Sequence, residues 1–111
     1  MAKAYVSFHP VALKYPNGSS VLGLAEYSSV LDFTSAQATT ATAITAVMDQ
    51  NRDMVASVSV DSDAFIAVGP TPDCDAEAIT AATSARVMVP AGSSIDLFIP
   101  RNAKVAVKAV P

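Results

Sequence analysis

A chain of 111 residues with 51% hydrophobic and only 15% charged residues has the size of one domain and is too apolar on average to be disordered. Its formal net charge of -3, the want of any Lys or Arg cluster and the absence of Trp argue against a nucleic-acid binder, whose footprint is basic. Ordinary soluble domains carry about 25% charged residues, so part of this surface is expected to be covered by something other than water.

Segment 1–15 carries Lys3 near its start, but Tyr5, Ser7, His9 and Pro10 interrupt the apolar stretch that a secretory signal would need. Met1 to Tyr15 is read as lying mainly outside the regular strands, as an N-terminal contact arm. Asn17-Gly18 is a strong hairpin signal, because a type I′ turn needs positive φ at both central positions. It joins Val11 to Tyr15 with Val21 to Leu24. Tyr27 to Phe33 follows as a strand. Ser35 to Met48 is ambiguous, its threonines favouring strand and its alanine spacing tolerating helix; a strand is expected for Ala41 to Met48.

From Val55 to Val60 the alternation of Ala56, Val58 and Val60 with Ser57 and Ser59 is what a sheet with one buried and one wet face requires. Asp61, Ser62 and Asp63 make a polar turn. Ala64 to Val68 is the next strand, stopped by Gly69 and Pro70. Ala85 to Val89 follows, then a tight turn at Pro90, Ala91 and Gly92, then Ile95 to Ile99 and finally Lys104 to Val110. About eight short strands separated by turn signals make an all-β domain over residues 1–111, an antiparallel β-sandwich that a jelly roll would fit. Its expected core is Val58, Val60, Ile66, Val68, Val87, Val89, Ile95, Leu97, Ile99, Val105 and Val107.

Chemistry is sparse. His9 and Cys74 are the only histidine and cysteine, so a thiol nucleophile with an imidazole base needs the two to meet across the fold. No Gly-x-Ser-x-Gly elbow, phosphate loop or dinucleotide fingerprint occurs. Asp49 with Asp53, Asp61 with Asp63, and Asp73, Asp75 and Glu77 are spaced unlike an EF-hand and read as solvation and turn formation rather than calcium ligands. No catalytic residue, cofactor or metal is expected, and no enzyme. The uncharged run Phe33 to Met48 is too short and too polar to span a bilayer, and a single cysteine allows no intrachain disulfide. Pro70 to Ser84 is too long for a hairpin, and long loops on compact domains are commonly functional; it reads either as a solvated crossover between the sheets or as a contact arm that orders against a neighbouring subunit.

From Val58 onward the order of features is distinctive: a short strand, Asp61 and Asp63, Ala64-Phe65-Ile66-Ala67-Val68-Gly69, Pro70-Thr71-Pro72, an Ala and Thr loop, Ser84-Ala85-Arg86, Pro90-Ala91-Gly92, Ile95-Asp96-Leu97 and Lys104-Val105-Ala106-Val107. This half of the chain resembles small β-sandwich virion structural proteins of tailed bacteriophages, similar in kind to capsid decoration or cement proteins. The resemblance implies a homo-oligomer made in the host cytoplasm that binds the major capsid protein on the capsid exterior, with neither nucleic acid nor membrane as partner. Tyr5, Phe8, Tyr15, Pro70 and Pro72 are the expected partner contacts, since rigid rings bury area at low entropic cost. The alternative is a tail or fibre-associated adaptor or receptor-binding module.

Overall fold

The computed structural model describes residues 2–14, 20–22, 24–25, 27–40, 54–100 and 102–111, with the backbone alone for 11–14 and 20–22. Among these it forms β1 (Ala2–Lys14), β2 (Ser20–Leu22), β3 (Tyr27–Phe33), β4 (Ala38–Thr39), β5 (Met54–Val60), β6 (Ala64–Gly69), β7 (Val87–Val89), β8 (Ser94–Ile99) and β9 (Lys104–Ala109). One antiparallel sheet runs β2-β1-β5-β8, with β3 also paired to β1; the other runs β4-β9-β6-β7. The chain is therefore an antiparallel β-sandwich, as the period-two alternation requires.

The first strand corrects the expectation of an N-terminal arm. β1 is the central strand of its sheet, held by β3 from Ala2↔Phe33 to Phe8↔Tyr27 on one side and by β5 from Ala4↔Val60 to Pro10↔Met54 on the other. Pro10 cannot donate to a ladder, yet it falls between the stretch paired with β3, ending at Phe8, and the stretch paired with β2, beginning at Val11. The missing N–H thus comes where the ladder on that edge changes partner. Lys14↔Ser20 and Leu13↔Val21 make the expected hairpin between β1 and β2. Asn17-Gly18, Tyr15 and the expected strand Ala41 to Met48 lie outside the described residues.

Packing follows from alternation. Ala4, Val6 and Phe8 of β1, Phe33 of β3, and Met54, Ala56, Val58 and Val60 of β5 face Ala64, Ile66 and Val68 of β6 and Val105 and Val107 of β9 in one buried cluster. Each large side chain there contributes about 1.5–3 kcal/mol by leaving water. Of the expected core, Val87 is 38% exposed, and Ile95 and Leu97 are half-buried. The sandwich is thin at that margin, because β7 is a short edge strand and β8 pairs only with β5 among the described strands.

The turns are held by side chains that the sequence marks as polar. Lys3 N donates to Asp61 Oδ1 at 2.8 Å, and Ala91 N donates to Asp63 Oδ1 at 2.8 Å. Gly92 has φ of 78° and lies inside the turn closed by Ser93 N donating to the Pro90 carbonyl at 3.1 Å, a position that demands glycine-like backbone. At the far end of β6, a Cβ on Gly69 would run into the Ala82 carbonyl and Thr83 Cα. Only glycine lets the returning loop lie this close to the strand.

Candidate functional site

Two surface features are built by this frame. The first is the outer face of the first sheet. Because Ala4, Val6 and Phe8 point into the core, Lys3, Tyr5, Ser7 and His9 point out. Strand register then sets Ser28, Ser7, Ser57 and Asp96 in a row across β3, β1, β5 and β8. Ser57 Oγ donates to Asp96 Oδ1 at 2.5 Å. Ser7 Oγ and His9 Nε2 lie 2.8 Å apart; with the ring proton on Nδ1, the imidazole accepts from the serine. A shallow depression of about 250 Å³ opens here, lined by Tyr5, Ser7, Ser28, Val30, Ser57 and Ser59.

The second feature is a groove of about 260 Å³ between the loop 70–84 and the end of β8, with Pro70, Ile79, Ala81, Phe98 and Pro100 among its walls. Ile79 is 78% and Phe98 63% exposed, a large apolar area to leave in water. The loop is no free arm. Thr71 N donates to the Ala82 carbonyl at 3.0 Å and Ser84 N to the Val68 carbonyl at 2.7 Å. Gln37 reaches across from the β3–β4 connection, accepting from Cys74 N at 2.8 Å and donating to the Pro72 carbonyl at 2.8 Å. Arg86 lies 4.1 Å from the Phe65 ring centroid, a cation–π contact, and 3.4 Å from Glu77.

Several expected contact residues are placed otherwise. Phe8 is fully buried and stacked on Tyr27 with ring centroids 5.5 Å apart, so it belongs to the core and not to a partner surface. Pro72 is buried beneath its loop. Tyr5 and Pro70 are exposed, but they line separate depressions.

Cys74 packs with Ala67 and Ala106 on the outer side of the second sheet, while His9 stands on the outer side of the first. The sandwich separates them, so no thiol and imidazole pair forms. Burial pushes the Cys74 thiol up to about 12, which keeps it protonated and unreactive at neutral pH. The acidic residues are engaged locally: Asp75 pairs with Lys108 at 2.6 Å, and Asp73 Oδ1 accepts from Asp75 N at 2.9 Å. Among the described residues no three His, Cys, Asp or Glu side chains are grouped to hold a metal ion.

Sequence reasoning missed the Ser7 and His9 pair because it looked for a serine elbow and a cysteine partner. The signal was Ser-x-His on a strand, since residues two apart share a face. Comparison of the chain with protein-family models, curated proteins and solved structures finds no match in any of the three.

Proposed function

We propose that the protein is a virion structural component of a tailed phage that binds the capsid exterior as a decoration or cement protein, in contact with the major capsid protein and with copies of itself. The observation that carries this reading is the apolar groove between Phe98 of β8 and Ile79 of a loop already fixed by its own hydrogen bonds. A preorganised apolar surface binds without the cost of ordering a flexible arm. Low charge supports it too, since the cores of assembly interfaces are depleted in charge.

The strand adjacency adds fold-level support. Consecutive strands cross between sheets at β3–β4, β4–β5, β5–β6, β7–β8 and β8–β9, and β1 lies between β3 and β5. Such an adjacency fits the reading of a jelly roll whose last strand has moved to the start of the chain, and jelly rolls recur in viral capsid proteins and lectins. Fold analogy alone assigns no function.

The test is co-sedimentation with purified phage shells that lack the protein. Binding is expected, with Ile79→Asp and Phe98→Asp each weakening it by about tenfold or more, as for an apolar anchor at an interface. Retention by tail complexes or host cells, with none by shells, would replace decoration by the adaptor or receptor-binding reading.

A further inference from the structure

Three things that the decoration reading does not use meet at the depression on the first sheet: the Ser7 hydroxyl of its lining, which contacts the His9 imidazole, further hydroxyls around it, and apolar walls. Ser7 Oγ and His9 Nε2 are 2.8 Å apart, the reach of a nucleophile and its base. Ser7 is laddered to both neighbouring strands and His9 to β5, and placement on a strand holds reacting groups better than a loop does. Tyr5 and Val30 supply apolar walls, and Ser28, Ser57 and Ser59 line the rest.

Ser28 and Ser57 are the direct partners of Ser7 on the flanking strands, so their Cβ atoms lie about 4.5–5.5 Å from that of Ser7. Ser57 is committed to Asp96. The Ser28 hydroxyl has no hydrogen-bond partner among the described residues, which leaves it able to donate into the depression.

We propose that Ser7 is a nucleophile activated by His9 and that the depression takes the acyl group of a small carboxylic ester. His9 Nε2 removes the Ser7 hydroxyl proton as Oγ bonds to the carbonyl carbon. The bond from that carbon to the alcohol oxygen breaks, and the alcohol leaves with the proton from His9. Water, deprotonated by the same nitrogen, then attacks acyl-Ser7; the carboxylic acid departs and Ser7 regains its proton. Ester and water enter, acid and alcohol leave, and nothing is oxidised or reduced. Ser28 donates to the carbonyl oxygen as negative charge develops there. An ester suits this site better than an amide, because an alcohol leaves more readily than an amine and one side-chain hydroxyl is modest support for an oxyanion.

The test uses the full chain with a fluorophosphonate probe, which forms a phosphorus bond to an activated serine oxygen and releases fluoride, and with p-nitrophenyl acetate as substrate. Peptide mass spectrometry of the unaltered protein is expected to map the adduct to Ser7. Ser7→Ala should carry no adduct and reduce ester turnover to background, and His9→Ala should slow labelling about 100-fold or more. Ser28→Ala should lower turnover about 100-fold, as loss of an oxyanion donor does, while labelling stays at Ser7. An adduct that is absent or maps elsewhere, or labelling of His9→Ala at the unaltered rate, overturns the proposal. Because the adduct is mapped on the unaltered protein, a variant that fails to fold cannot mimic either result. Shell binding by Ser7→Ala is unaffected whichever way the labelling falls.

Discussion

Thr40 and Val105 hold each other through two hydrogen bonds: Thr40 N donates to the Val105 carbonyl at 2.9 Å, and Val105 N donates to the Thr40 hydroxyl at 3.0 Å. Thr40 is 4% exposed, so water cannot replace either bond cheaply. Thr40→Val keeps the shape and leaves the Val105 N–H without its acceptor. A loss of about 1–3 kcal/mol is expected, read from denaturant midpoints, with Thr40→Ser losing less. Equal stability of Thr40→Val would show that the hydroxyl is dispensable.

Depth of burial ranks the inward-facing strand residues. Ile66 is fully buried at the middle of the core, and Ile66→Ala should cost about 2–5 kcal/mol. Leu97 points the same way but is half-buried at the margin, so Leu97→Ala should cost less than half as much in the same urea titration. A larger loss at Leu97 would mean that the margin is covered.

Removal of residues 2–8 takes away the strand between β3 and β5 together with Ala4, Val6 and Phe8. The shortened chain is expected to lose its cooperative thermal transition, because two strands lose their ladder partner and the core loses one of its two buried phenylalanine rings. A sharp transition near that of the full chain would restore the picture of a dispensable arm.

The Cys74 thiol is raised from 9.0 to about 12, chiefly by burial and secondarily by the nearby Asp73 and Asp75 carboxylates. Between those values the unfolded chain has released a proton that the folded chain still holds, so this group lowers stability as pH rises through that window and adds no slope below it. Cys74→Ala should show a shallower loss of stability above about pH 9 than the unaltered protein. In the native state at neutral pH, the thiol should resist a disulfide reagent until denaturant opens the cluster around Ala67 and Ala106.

Alternation along Val55–Val60 and Lys104–Val110 suffices to predict the strands, their buried faces and the two-sheet class, because the side-chain period of a strand is a local property. The same alternation is present in Ala4, Val6 and Phe8 against Tyr5, Ser7 and His9, but Pro10 reads as a breaker until the change of pairing partner beside it is known. What local pattern lacks is distance from the sheet margin. Val87, Leu97 and Val107 carry similar signals, yet only Val107 is covered, since strand order decides which inward face has a neighbour opposite.

The candidate site divides in the same way. Residue types limit the chain to one imidazole and one thiol, and spacing alone puts Ser7 and His9 on one face. Their 2.8 Å contact, the serines beside them and the separation of His9 from Cys74 follow from pairing between strands far apart in sequence. Those pairings are set by how two whole sheets bury their apolar faces against each other, and no single segment encodes that choice.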